Sequence, residues 1–308
     1  MKKKRKSTNF ILILLLLAGL SLVLYPSISN YWNSFHSTQI ISDYAGAVTK
    51  MSQTEYEQMY LDAVEYNREL AAHGSGYQLG AAEKAQYEQT LNVGGSGVMG
   101  YIEIPSIHVA LPVYHGTEDS VLQVAVGHVE WTSLPVGGES THCVLSGHRG
   151  LPSAKLFTNL DQLHEGDTFT LHILDEILTY EVDQIRIVLP EEIKDLTIQE
   201  GQDLCTLVTC TPYGINTHRL LVRGHRIAAV DTSGVVSEAI IVEPLLVAPV
   251  LAAPLLLALL IKVFVPGKKK KSQKEGENGH EQVEKTADTD ADNDRGDAAR
   301  ADDGHRPH

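Results

Sequence analysis

Cys210 closes the run Thr206-Leu207-Val208-Thr209-Cys210 and is followed at once by Thr211-Pro212. In a strand, side chains alternate between faces, so Thr206, Val208 and Cys210 share one face and Cys205, Leu207 and Thr209 share the other. Proline cannot continue a central ladder, which puts the Cys210 thiol at a strand end beside a loop, open to a substrate. The chain holds three cysteines, so at least one thiol is left without a partner within the chain. Cys143 and Cys205 stand inside apolar strands, where a packing role suits them. A cysteine nucleophile needs a proton-transfer partner and a group that stabilises the oxyanion. Fourteen histidines compete for the first role. His36 and His73 precede the strand-rich part, and His280, His305 and His308 lie near the C-terminus. His148 in Val144-Leu145-Ser146-Gly147-His148-Arg149-Gly150 ends an apolar strand as Cys210 does. On spacing alone His128, His142, His218 and His225 remain open beside it. For the oxyanion, Arg219 and Arg223 both follow Cys210 on the next strand and share a face. Arg219 starts that strand, across the loop from Cys210.

The elements that must carry these residues are mostly short strands. Residues 101–104 and 108–111 flank Pro105; residues 167–174 and 177–189 read as a hairpin turning at Asp175-Glu176; residues 204–210 and 219–227 form two more strands. Residues 118–126 are the best helix in this part. Many short strands with turn signals predict a barrel or sandwich. Upstream, residues 48–72 have a helical pattern with Ser52 and Glu55 as a capping box. Residues 81–91 form a second short helix, and Gly94-Gly95-Ser96-Gly97 is a hinge.

Three stretches resemble class C (pilus-assembly) sortases. They are L-N-V-G-G-S-G-V-M-G-Y-I-E-I-P (residues 91–105), S-L-P-V-G-G-E-S-T-H-C-V-L-S-G-H-R-G-L-P-S-A-K-L-F (133–157) and T-L-V-T-C-T-P-Y-G-I-N-T-H-R-L-L-V-R-G (206–224). The resemblance implies a mostly β fold: an eight-stranded sortase β-barrel with short helices, preceded by an N-terminal helical segment and flanked by two transmembrane helices. It implies Cys210 as nucleophile, His148 as general acid and base, and Arg219, in preference to Arg223, as stabiliser of the oxyanion and substrate. Thr209 would help to shape the pocket. The implied reaction cleaves a Leu-Pro-x-Thr-Gly-like sorting signal between Thr and Gly, forms a thioacyl enzyme and passes it to an amine. For class C that amine is typically a pilin lysine, and the product an isopeptide-linked shaft. No cofactor or metal is implied. The chain departs from the family at one point. A class C lid usually carries an Asp-Pro-aromatic motif, whereas residues 73–80 read H-G-S-G-Y-Q-L-G, with Tyr77 as a candidate for the aromatic's place. This predicts a lid that is absent or weakly held. Other readings are a housekeeping-type sortase that uses a peptidoglycan-precursor amine, a non-catalytic membrane scaffold and a plain cysteine hydrolase.

Residues 10–25 are apolar behind a basic N-terminus at 1–9 and run into Tyr31-Trp32, a pair suited to a membrane interface, so an uncleaved anchor is expected. Residues 244–265 are long enough to cross a hydrocarbon core of about 30 Å and are followed by Lys268 to Lys271. Each span has its basic cluster on the terminal side. The positive-inside rule therefore puts both termini in the cytoplasm and the intervening chain outside, a two-pass arrangement in the cell membrane. This divides the chain into a lid region at 26–93, a catalytic barrel at 94–230, a linker at 231–243 and an acidic cytoplasmic tail at 266–308. The chain's formal net charge is −14, and residues 272–308 supply −6 of it through eleven acidic side chains against five basic. No basic patch marks a nucleic-acid surface. The expected partners are the lipid bilayer and pilins or surface proteins with C-terminal sorting signals.

Overall fold

The computed structural model describes residues 2–74 and 76–228. The expected second span, the linker at 231–243 and the acidic tail lie outside the described residues.

The chain enters through one 49-residue helix, α1 (Lys2–Lys50), which is long and apolar enough to cross a membrane. The expected anchor at 10–25 corresponds to only part of it. The helix continues through Pro26, and its exposed apolar side chains continue past Tyr25 to Ile28, Tyr31, Trp32 and Phe35. Beyond that point its character changes: Ser37 and Tyr44 are buried, and Ile40, Ala47 and Val48 pack against the core. One helix thus has a bare apolar stretch and a stretch packed on the domain. Met51 and Ser52 separate it from α2 (Gln53–Ala71), so the helical pattern expected over 48–72 is two helices. The Ser52–Glu55 capping box forms at the junction. A short α3 (Ala81–Gln89) follows.

Eight strands close a barrel: β1 (Val98–Ile104), β2 (Val109–His115), β3 (Val126–His128), β4 (Thr141–Ser146), β5 (Thr168–Ile173), β6 (Glu176–Val188), β7 (Asp203–Thr211) and β8 (His218–Arg226). The order around the barrel is β1-β2-β3-β4-β7-β8-β6-β5. Most neighbours are antiparallel, but β2 with β3 and β4 with β7 are parallel. Two local expectations are corrected. The helix expected over 118–126 is a single turn, α4 (Asp119–Leu122), because Val126 to His128 are taken into the sheet. The β5–β6 hairpin pairs Ile173 with Glu176, so it turns at Leu174-Asp175, with Leu174 at a φ of 55°.

The period-two pattern sorts β7 as expected. Cys205 and Leu207 point into the main core with Cys143, Leu145, Leu220 and Val222. Val208 points to the other face, where it joins Val144, Val188 and Leu221 in a second apolar cluster, with Val129 and Leu196 packed on it. Cys210 is therefore on the face of the second cluster, not of the core.

α1 lies along the barrel from end to end. The Tyr44 hydroxyl donates to the Met99 carbonyl (2.9 Å) and accepts from the Leu174 N–H (2.7 Å). About three to four turns earlier, Asn33 Nδ2 donates to the Ser153 carbonyl and Asn30 Oδ1 accepts from the Lys155 N–H, both at 2.8 Å.

Candidate active site

Cys210 is the last but one residue of β7 and is partly exposed. Its partner across the antiparallel β7–β8 pair is Arg219, as Val208 is opposite Leu221 and Thr206 opposite Arg223. Both arginines are on the Cys210 face, as their even spacing requires, and the structure separates them by their partners. Arg223 is held in a two-pronged ion pair with Asp183, at 3.0 and 2.9 Å. Arg219 has no carboxylate partner among the described residues; its Nη1 donates to the carbonyls of His218 (3.1 Å) and Asn216 (3.3 Å). Its guanidinium charge is thus uncommitted at the Cys210 position.

His148 arrives through the parallel β4–β7 pair. The register runs from Thr141 opposite Asp203 to Ser146 opposite Val208. The Gly147 N–H then donates to the Val208 carbonyl (3.0 Å), and the Thr209 hydroxyl donates to the Gly147 carbonyl (2.8 Å). Continued by two residues beyond Ser146, the last residue of β4, this register would set His148 opposite Cys210. Thr209 does not face the groove of the second cluster. It is buried on the other face and fastens the start of the His148 loop. Gly147 is needed there because a Cβ would lie 2.7 Å from the Phe157 ring. The loop closes on itself through the Phe157 N–H to the His148 carbonyl, at 3.1 Å.

The competing histidines are otherwise engaged. His128 is wholly buried between the Tyr87 hydroxyl (3.0 Å) and the Ser133 carbonyl (2.8 Å). His142 is wholly buried between the Thr197 carbonyl (2.8 Å) and the Thr206 hydroxyl (2.7 Å). Burial drives its pKa below the ordinary imidazole value, against the pull of the Thr197 carbonyl. His225 pairs with Leu204 at the far end of β7. His218 is opposite Thr211, one step beyond Cys210 and on the opposite face. Cys143 and Cys205 are free, fully buried and directly opposite one another across β4 and β7. Burial pushes the Cys205 thiol well above its ordinary pKa, which disfavours the reactive thiolate.

Arg149, to which the residue pattern assigned no role, ties the site together. Its Nη1 donates to Thr211 Oγ1 (3.3 Å), its Nη2 is paired with Asp161, and its guanidinium lies 5.9 Å from the centre of the Tyr213 ring. It thus joins the residue after His148 to the residue after Cys210. The His-Arg doublet was the visible signal, but its partners are 12 and 62 residues away and have no local signature.

A groove of about 320 Å³ runs over the second apolar cluster, floored by Val144, Ser146, Val208 and Leu221 and walled by Trp131 and Ile193, with Arg219 also lining it. It lies on the face that carries Cys210. Tyr77 is half-buried, stacked on His73 with ring centroids 4.4 Å apart, and its hydroxyl donates to Glu83 at 3.0 Å. Its neighbour Gly76 sits so close to the groove wall that a Cβ there would be 2.9 Å from Ile193 Cδ1.

The sortase-domain family model matches residues 102–227, from β1 to just beyond β8. Sortase C1 from Streptococcus agalactiae is 50% identical and is covered in full by 62% of this chain, with a TM-score of 0.61. The chain belongs to the sortase family. The structure of Streptococcus pneumoniae sortase C is 43% identical, with 62% of this chain covering 97% of that one at a TM-score of 0.57. Sortase C from Clostridium perfringens, solved with a C-terminal cell wall sorting motif, is 46% identical; 62% of this chain covers all of it at a TM-score of 0.56. These relatives place the sequence in class C. Among curated sortases, sortase D of Bacillus subtilis is 31% identical over 131 residues, which span 42% of this chain and 63% of that relative. Sortase homologues are transpeptidases, which sets this chain among enzymes of that kind.

Proposed function

We propose that this class C sortase joins pilin subunits: Cys210 attacks the Thr–Gly carbonyl of a Leu-Pro-x-Thr-Gly-like sorting signal, and a pilin lysine resolves the thioacyl enzyme. The observation that carries the proposal is the pairing of Cys210, on the groove face, with Arg219, whose charge no carboxylate among the described residues neutralises. The apolar floor suits the Leu-Pro part of such a signal. In the first half-reaction the Cys210 thiolate adds to the carbonyl carbon, and the Arg219 guanidinium stabilises the oxyanion. His148 gives a proton to the departing glycine amine as the C–N bond breaks, leaving a thioester. In the second half-reaction His148 takes a proton from the incoming lysine ammonium. The amine adds to the thioester carbonyl, the adduct nitrogen releases its remaining extra proton to solvent, and collapse to an isopeptide expels the Cys210 thiolate. Tyr77 belongs to a short lid held mainly by its own neighbours, His73 and Glu83, at the Ile193 wall of the groove. α1 anchors the enzyme in the membrane. The basic clusters at 2–6 and 268–271 favour two spans with the barrel outside the cell.

The test is to incubate the membrane-embedded enzyme with a sorting-signal peptide and measure its intact mass. An acyl adduct mapped to Cys210, lost in Cys210→Ala and discharged by a pilin with its acceptor lysine, is the expected result. An adduct on Cys143 or Cys205 would overturn the assignment. Discharge by a wall-precursor amine but not by pilin would move the enzyme to the housekeeping role.

A further inference from the structure

The β7–β8 loop presents two large apolar side chains that nothing in the proposed reaction uses. Tyr213 is 60% exposed and Ile215 67% exposed, on a loop whose residues 212–217 are all exposed. Exposure of this kind at the rim of an active site calls for a cover. The fold determines which surface is nearest.

α1 runs along the barrel in a known sense. Its residue 44 reaches Met99 in β1 and Leu174 at the β5–β6 turn. That turn is where β6 begins, and the far end of β6, Val188, is opposite Arg219, which in turn is opposite Cys210. Tyr44 therefore marks the barrel end away from Cys210. Asn33 and Asn30 hold Ser153 and Lys155, on the loop that leaves His148 and returns to it through Phe157. The Cys210 end is thus the end nearer the apolar stretch of α1. At 1.5 Å per residue, the rise from Phe10 to Trp32 is about 33 Å, the thickness of a hydrocarbon core. Tyr31 and Trp32, 72% and 62% exposed, then sit at the interfacial layer, on the same helical turn as Asn30 and Asn33. The His148 loop is fastened to that turn. The β7–β8 loop is stacked on the His148 loop in its turn: a Cβ at Gly150, which has a φ of 78°, would be 3.1 Å from the Tyr213 ring, and Arg149 lies over the same ring.

We infer that the β7–β8 loop is a membrane-contact surface, with Tyr213 and Ile215 seated in the interfacial layer of the bilayer beside Tyr31 and Trp32. A tyrosine has an apolar body and a polar tip and suits that layer. The Cys210 edge would then face the bilayer, and substrate would be taken from chains held at the membrane surface. The inference rests on reading α1 as a membrane span, and the experiment separates the two.

The chain contains two tryptophans, Trp32 and Trp131. Full-length protein with Trp131→Phe, placed in phosphatidylcholine–phosphatidylglycerol vesicles with brominated acyl chains, reports insertion of α1 through Trp32. A second protein with Trp32→Phe, Trp131→Phe and Tyr213→Trp reports the loop, and Ile215→Trp in the same background serves if the first variant does not fold. Both indoles are expected to lose about half their emission or more, as groups at interfacial depth do. Quenching at Trp32 without quenching at either loop position would overturn the membrane contact and leave the loop to a protein partner. Quenching at neither would overturn the anchor and the inference together.

Discussion

At the scale of single residues, the site turns on which charges are already spent. Arg219 and Arg223 are four apart on one strand face, and their spacing alone does not decide between them. Asp183, forty residues before Arg223, decides by binding Arg223 in a fork, which leaves Arg219 without a carboxylate among the described residues. Arg219→Ala is expected to lower kcat by about 10²–10³, the cost of removing an oxyanion donor, with little change in Tm. Arg223→Ala should do the reverse. It strands a half-buried Asp183 and costs about 1–3 kcal/mol of stability, while turnover of the folded fraction stays near wild type. Parallel thermal melts and initial rates on the two variants check this; an equal loss of kcat in both would remove the distinction. The same logic separates what the sequence made legible from what it did not. Cys210 and its strand-end position could be read from Thr206 to Pro212, since period and proline are local. The approach of the His148 loop to that edge could not, because it depends on the parallel register of β4 with β7, and the resemblance to sortases supplied what spacing left open.

At the scale of elements, the N-terminal helix is part of the fold as well as an anchor. The expected boundary at residue 25 followed the apolar run, but the helix continues for another 25 residues, and its last turns add Ile40, Tyr44, Ala47 and Val48 to the core and its margin. A pattern of apolar residues shows where a membrane could begin, not where a helix must stop. Tyr44 is the fastening: it bridges β1 and the β5–β6 turn, and burial raises its phenol well above the ordinary pKa. Tyr44→Phe keeps the ring and removes both bonds, leaving a buried carbonyl and a buried N–H unpaired. The expected loss is about 1–3 kcal/mol, read as a lower Tm. An unchanged Tm would show that helix and barrel are held by apolar contact alone. Similarly, the helix expected over 118–126 failed because pairing of Val126 to His128 with β2 and β4 outweighs a local preference for helix.

At the scale of the whole molecule, acid should weaken the fold before it protonates the carboxylates. His142 and His115 both have pKa values below the ordinary imidazole value, first because of burial. The unfolded chain then binds protons that the folded chain refuses. Their contribution is complete above the unfolded imidazole pKa of about 6.5 and is lost as pH falls below it. Glu103 adds a lower window: held below its ordinary value chiefly by the bond to His172, it weakens the fold only when pH drops through the carboxylate range. The urea midpoint of the detergent-solubilised protein is expected to fall between about pH 7.5 and pH 5.5, and to fall less in His142→Gln. A midpoint that rises on acidification, or a slope that His142→Gln leaves unaltered, would refute this account.

The parallel pairing of β4 with β7 has one more consequence. Both strands end at the same edge of the barrel, so the approach of the His148 loop to Cys210 is set by the sheet and by the contacts of Arg149 and Phe157, not by the length of the 189–202 connection. That connection can lengthen, shorten or change its shape without breaking the register of β4 with β7. Substrate preference can therefore evolve in the 189–202 connection, on the groove wall, while the machinery that breaks and makes the bond stays in place.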